Sequence, residues 1–287
     1  SSRALRPLQE IIQKTQQIDA GNLTERVPLP LAQDEIRQLA ETQNQMLDRI
    51  EKSFQSQERF IADASHQLLT PLTILRGEIE IQQKTRNLDP VFLNSTLQEV
   101  EVLSRMVSDM LLLARIDAGR DALKMSEVNL DEIIIDVIAR LQKHAMKKKI
   151  NIKFDIQNKF DRPLIKGDSD LLSHLIFNLL ENAVKYSPVG ELVDVRLIWE
   201  KAETIVEIAD RGPGISDDEK EKVFDRFSRI HPSGKTKGFG LGLAIAKKIA
   251  TLHNSNIQIK RNTDSNRDQG SVFILTMMNS EAWIKIF

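Results

Sequence analysis

Leu5, Leu8, Ile12 and Thr15 recur at steps of three and four residues, the spacing of a short coiled-coil helix. The pattern breaks at Gly21-Asn22, and Pro28 and Pro30 hold the chain extended beyond it. A second periodic stretch opens at Asp34-Glu35, acidic residues suited to a helix N-terminus. Ile36, Leu39, Met46 and Ile50 form its stripe, and Phe60, Ala64 and Leu68 continue it. Leu72, Ile74, Leu75 and Ile79 resume the stripe past Pro71, where a kink is expected. After a break at Asn87 to Pro90, one face of a further helix carries Leu93, Leu97, Val100, Leu103, Val107 and Met110. That helix is expected to end near Ala118, with Gly119 as its cap.

Two long amphipathic helices joined by a short turn make a hairpin. One hairpin alone leaves much of its apolar surface wet, whereas two pack into a four-helix bundle, so a homodimer is expected. After Gly119 the texture changes. Strands are expected at 128–130, 150–154, 193–198, 204–208, 257–259 and 272–276, with helices at about 131–147, 168–186 and 240–253. This is the pattern of an α+β two-layer sandwich with helices on one sheet.

The length of 287 residues suits two domains or three small ones. With 41% apolar and 28% charged residues, the chain can build globular cores. Lys+Arg number 40 against 41 Asp+Glu, so there is no basic surplus for nucleic acid, and 5% aromatics are too few for a stacking platform. The one short basic run, Lys147-Lys148-Lys149, reads as a solvated helix end. The absence of cysteine excludes disulfides, thiolate nucleophiles and Cys-based zinc sites, and favours a reducing compartment. No apolar run approaches the ~20 residues needed to cross a bilayer. The chain opens in helix-like sequence at Ser1-Ser2-Arg3 without an initiator Met, as a soluble fragment of a longer protein would.

Three clusters in the second half carry candidate chemistry. Asn178, Asn182 and Lys185 lie four and three residues apart, on one helical face, where amide oxygens can hold a hard cation and an ammonium can offset phosphate charge. A solvated polar face would look the same. Asp210-Arg211-Gly212-Pro213-Gly214 follows a strand, so an acid able to bind a base amino group stands beside backbone that a ligand can approach. Ordinary loops also contain Asp and Gly. Gly238-Phe239-Gly240-Leu241-Gly242 opens a helix whose free N–H groups can hold phosphate. No Gly-Lys-Ser/Thr follows, so it is not a Walker A loop. Its third glycine comes one residue too early for the dinucleotide fingerprint.

Taken in order, with Phe224-Asp225-Arg226-Phe227-Ser228-Arg229 between the second and third, these clusters resemble the N, G1, F and G2 boxes of bacterial sensor histidine kinases. The string Phe60-Ile-Ala-Asp63-Ala-Ser-His66-Gln67-Leu-Leu69-Thr70-Pro71-Leu72-Thr73 is similar to that family's phosphoacceptor H box, and the first fifty residues are similar to a HAMP domain. The resemblance implies a HAMP-like relay at 1–53, a dimerisation and phosphotransfer hairpin at 54–122 and an ATP-binding domain at 123–287. It implies ATP and Mg²⁺, a homodimer, a response-regulator receiver domain as partner, no nucleic acid, and a cytoplasmic position below a membrane segment upstream of residue 1.

The resemblance also implies roles. His66 accepts the phosphoryl group, with Gln67 and Thr70 beside it. Asp210 binds adenine with Gly212 and Gly214. Asn178 and Asn182 hold Mg²⁺ and phosphate, helped by Lys185, Tyr186 and Arg229. Gly238, Gly240, Leu241 and Gly242 form the phosphate turn, and Ile230 to Lys237 form a lid. Three positions depart from the family pattern: Gln67 where an acid usually follows the histidine, Leu69 in place of Arg, and Arg37 where HAMP commonly has Gly. Gln67 can accept a hydrogen bond but cannot take up a proton. The kinase reading therefore stands beside two others: a kinase-impaired relay or regulator phosphatase acting through Thr70, and a gyrase- or Hsp90-like ATPase clamp.

Overall fold

The computed structural model describes residues 2–19, 21–85, 90–118, 123–158, 163–230, 238–263 and 270–280. Residues 231–237 of the lid expected at 230–237, the Gly119 cap and residues 87–89 of the break expected at 87–90 lie outside the described residues. The chain divides into two compact units, residues 1–74 and 75–287.

In the first unit, helix α1 (Ser2–Gln17) is followed by an extended connector, and helix α2 (Glu35–Thr85) begins. Asp34 caps α2: its Oδ1 accepts from Arg37 N at 3.2 Å. Ile11, Val27 and Ala40 are buried together, with Ile18 and Ile36 packed against them. Asn44 holds the connector in register, accepting from Val27 N at 2.9 Å and donating to Val27 O at 3.0 Å. Arg37 also has a packing role here: it pairs with Glu41 and donates through Nη1 to Pro30 O at 3.0 Å, tying the connector to the first turn of α2. The apolar stripe is corrected. The buried face of α2 carries Ala40 and Leu47, while Leu39, Met46 and Ile50 are exposed on the single chain. The helix runs unbroken through Pro71.

The second unit opens with the end of α2 and helix α3 (Pro90–Asp117). Here too the exposed and buried faces differ. Leu93, Leu97, Val100 and Val107 are exposed, whereas Met106, Met110, Leu113 and Ile116 are buried, and α3 packs against α6.

Beyond it lie β1 (Ser126–Val128), α4 (Leu130–Lys147), β2 (Asn151–Asn158), β3 (Ile165–Gly167), α5 (Ser169–Tyr186), β4 (Leu192–Trp199), β5 (Glu203–Ala209), α6 (Gly242–Leu252), β6 (Asn256–Arg261) and β7 (Ser271–Met278), with a 3₁₀ turn at Lys222–Phe224. The main sheet has the order β2-β4-β5-β7-β6, with β2 parallel to β4 and the other pairs antiparallel. Val193, Val195, Leu197 and Trp199 alternate into the core, as a sheet covered on one face requires. The helices α4, α5 and α6 pack on β2, β5 and β6. The expected first strand shifts to Ser126–Val128, where it pairs with β3, a three-residue strand absent from the sequence reading.

Candidate functional site

Helix α5 is fixed at its start by Asp168, whose Oδ1 accepts from Asp170 N and Leu171 N, both at 3.1 Å. A cap of this kind is worth about 1 kcal/mol. Asp168 Oδ2 accepts from Lys124 N at 3.0 Å, and its own N–H donates to His253 Nε2 at 3.0 Å. The His253 ring is therefore protonated on Nδ1, which lies 2.8 Å from Ile249 O. A single buried junction thus joins the start of α5 to the end of α6.

At the opposite end of α5 the expected residues meet. Asn178 is 7% exposed, and its Nδ2 has no hydrogen-bond partner. A Cβ on Gly242 would stand 2.9 Å from Asn178 Oδ1, so glycine is what lets α6 start against this amide. Gly238 lies against Lys185 Nζ, and Asn182 is half-buried one turn beyond Asn178. Gly240 sits at φ +73°, where a Cβ would meet Ser228 O at 2.6 Å. Its carbonyl accepts from Phe227 N at 2.9 Å, which interlocks the F-box and G2-box turns. Leu241 is 2% exposed, so its side chain belongs to the core.

Burial pushes the Lys185 ammonium below its ordinary pKa, and the nearby Arg229 adds to the shift. Burial also pushes the Tyr186 phenol up, against the pull of Arg229. Lys185 Nζ lies 5.1 Å from the centre of the Tyr186 ring. This end of the helix gathers positive charge from Lys185 and Arg229, with Glu181 as an opposing carboxylate, and such a charge suits an anion.

Asp210 stands just past β5 and is 4% exposed. Its Oδ1 accepts from Gly212 N at 2.8 Å and Ser271 N at 3.2 Å, so Oδ2 is the oxygen left for a ligand. Asn262 Nδ2 donates to Asp210 O at 2.7 Å. Gly212 packs against Tyr186 O and Gly214 against Gly270. Burial raises the Asp210 carboxyl to about 6, in spite of the two backbone donors. Gly270, Ser271 and Asn262 were missed in the sequence, because their partner lies 52 to 61 residues upstream.

His66, Gln67 and Thr70 are exposed on α2. Thr70 Oγ1 donates to His66 O at 3.2 Å, so histidine and threonine share one face, one turn apart. Pro71 removes the N–H that would bond the Gln67 carbonyl. Among the described residues, no group of three or more His, Asp or Glu side chains is arranged to hold a metal.

Three family descriptions match the chain in order. They are the HAMP domain at residues 1–52, the His Kinase A (phospho-acceptor) domain at 56–119, and the histidine kinase-, DNA gyrase B-, and HSP90-like ATPase at 167–280. Over 256 residues the chain is 34% identical to the signal transduction histidine-protein kinase BaeS of Escherichia coli (strain K12), an alignment covering 88% of this chain and 54% of BaeS. The solved structure of Acinetobacter baumannii histidine kinase AdeS matches with a TM-score of 0.61 at 24% identity, over 75% of this chain and 98% of that one. Histidine kinase ThkA, solved in complex with response regulator protein TrrA, matches with a TM-score of 0.60 at 22% identity, over 81% of this chain and 66% of that one. At these identities the likeness to solved structures is one of fold. The chain belongs to the bacterial two-component sensor histidine kinases. It spans little more than half the length of the curated relatives it matches. Among the described residues, no helix is long and apolar enough to cross a membrane.

Proposed function

We propose that this chain is the HAMP (1–53), phosphotransfer (54–122) and catalytic (123–287) portion of an ATP-dependent protein-histidine kinase. It autophosphorylates on His66 and passes the phosphoryl group to an aspartate of a response-regulator receiver domain. The observation that carries this reading is a glycine turn set along α5, with Gly242 against an orphaned buried amide, Asn178, and Gly238 against Lys185, while Gly212 packs on Tyr186 O at the end of the same helix. Asp210 Oδ2 accepts from the adenine amino group, and Lys185 and Arg229 face the phosphates. An amide pair without a carboxylate suits Mg²⁺ held chiefly by phosphate oxygens, with Asn178 and Asn182 completing its shell. When bound, the ion would supply positive charge that offsets the charge of the phosphates.

In the transfer, one His66 ring nitrogen attacks the γ-phosphorus. The bond from phosphorus to the β,γ-bridging oxygen breaks, and ADP leaves. The second ring N–H becomes acidic and gives its proton to a base. The exposed apolar positions on α2 and α3 assemble two hairpins into a four-helix bundle. A membrane segment upstream of residue 1 would place the chain in the cytoplasm beneath it. Incubation with ATP labelled at the γ-phosphate tests the proposal. Acid-labile, base-stable label lost in His66→Ala supports it; hydrolysis without label supports an ATPase clamp. Gln67 favours a second reading, a relay or regulator phosphatase working through Thr70, because it places no carboxylate directly after the histidine. Loss of phosphate from a phosphorylated regulator, with no labelling of His66, would select that reading.

A further inference from the structure

The turn after α4 makes a contact that reaches the nucleotide end of α5. Lys149 at φ +55° ends α4 and turns the chain into β2, leaving Lys148 as the C-terminal cap. The Lys148 side chain crosses to α5, where Nζ donates to Val184 O at 3.0 Å, Lys185 O at 2.7 Å and Ser187 O at 3.0 Å. An ammonium has three protons, and each finds a carbonyl. Two of these carbonyls belong to the last turn of a helix and the third to its C-cap, groups that lack onward N–H partners at the negative end of the dipole. Among the three residues of the basic run, Lys147 and Lys149 are exposed as a solvated helix end requires, but Lys148 is half-buried.

We propose that Lys148 is a positioning residue for the nucleotide, holding the last turn of α5 so that Lys185 and Tyr186 keep their places at the phosphates. The idea rests on the ATP-binding role proposed above. Lys185 carries its side chain back to Gly238 while its carbonyl is anchored by Lys148, so backbone and ammonium of one residue are held from opposite sides. Around the Lys185 ammonium stand Arg229 from the segment after the 3₁₀ turn, Tyr186 and Glu181 from α5, and Lys148 from the turn after α4. Arg229 and Lys148 disfavour its protonation and Glu181 favours it, with burial the largest influence. Lys148 therefore acts on Lys185 twice, by fixing its backbone and by adding positive potential.

The test is Mg-ATP titration of the full chain by calorimetry, with the parent, Lys148→Met, Lys148→Gln, Lys185→Met and the double variant Lys148→Met/Lys185→Met. Methionine keeps the aliphatic stem and removes all three donors; glutamine keeps two donors and loses the charge. Lys148→Met should weaken ATP by about tenfold, the scale of a small misplacement at a charged site. In the Lys185→Met background the same change should cost clearly less than about tenfold, because the larger part of its route, through the Lys185 ammonium, is already gone. The alkaline limb of ATP affinity should move to higher pH in both single Lys148 variants, since Lys185 then loses a like-charged neighbour; a purely architectural lysine would not shift it. A folded Lys148→Met chain with parental affinity and an unmoved alkaline limb overturns the proposal, as does a full tenfold loss in the Lys185→Met background. Should Lys148→Met fail to fold, Lys148→Gln decides by the same criteria. A parent chain that binds no ATP overturns the ATP-binding role itself, a result distinct from parental binding that Lys148 does not influence.

Discussion

Asp210 and Ser271 clasp one another through two hydrogen bonds: Asp210 N donates to Ser271 O at 2.8 Å, and Ser271 N donates to Asp210 Oδ1 at 3.2 Å. The clasp joins the segment leaving β5 to the start of β7 and holds a carboxyl in a nearly dry setting. Burial raises that carboxyl to about 6 from an ordinary 3.8. Its favourable contribution to stability is complete below the unfolded value and is lost as pH rises through about 6. The melting temperature of the ligand-free parent should therefore fall, relative to Asp210→Asn, between pH 4 and 6. Asp210→Asn should also weaken ATP by about 1–3 kcal/mol, the cost of mismatching a buried polar partner. Parallel melting curves against pH, or unchanged affinity by calorimetry, would remove Asp210 from the adenine site.

At the end of α3, Asp117 pairs with Arg226 of the F-box segment and with Lys248 of α6, the latter at 2.9 Å. Partial burial works to raise its carboxyl, but hydrogen bonds from Lys248 and Arg226 outweigh that and hold it below the usual range. The pairing is present above the ordinary carboxyl pKa and is lost as pH falls through the lower folded value. Amide exchange at 106–116 should rise in Asp117→Asn at neutral pH, and in the parent only below about pH 4. An Asp117→Asn chain with parental protection at those amides would mean that the latch carries no weight.

Leu97 is 62% exposed on the single chain. Leu97→Asp should leave the fold and melting temperature of a monomer unchanged, but it places two charges in the apolar seam of a four-helix bundle at a cost of several kcal/mol. Light scattering at micromolar concentration should report a dimer for the parent and a monomer for the variant. A monomeric parent would refute the bundle.

General-base assistance is worth about 10²- to 10⁴-fold in rate. If an acid after the phosphoacceptor supplies it, Gln67→Glu should raise the single-turnover rate of His66 phosphorylation. ATP affinity should stay constant, since residue 67 lies on α2 outside the residues assigned to ATP. Equal rates at saturating ATP would show that Gln67 is simply tolerated, its amide oxygen orienting the imidazole.

What could be read from the chain was whatever its neighbours along the chain decide. Asn178, Asn182 and Lys185 share a face because a helix repeats every 3.6 residues, and Gly238 to Gly242 had to open a helix because Leu243 to Ala250 is plainly one. Contacts closed over long separations stayed hidden. Lys148 meets carbonyls 36 to 39 residues on, and Arg226 meets Asp117 109 residues back. Strand β3, only Ile165–Gly167, is too short to show an alternation. The α2 and α3 stripes were seen, but periodicity does not say which apolar face is covered within one chain: Leu47 and Met106 are buried, while Met46 and Val107 beside them are exposed.

The buried junction at Asp168 and His253 has a mechanical meaning. Helices α5 and α6 run antiparallel, and this junction pins the start of one to the end of the other, while Gly242 and Asn178 face each other at the far end. Helix α6 is thus a lever with its fulcrum at His253, 11 residues or about 16 Å long. Tilting it by about 4° swings the glycine turn by roughly 1 Å, the displacement to which positioned reactants are most sensitive. The fulcrum itself has little slack, because even a methyl group on Gly167 would stand 2.6 Å from Leu172 Cδ1 and 3.2 Å from the His253 ring. A substitution at Gly167 would therefore be felt as a change of aim at the Gly238–Gly242 turn, a helix length away from where it was made.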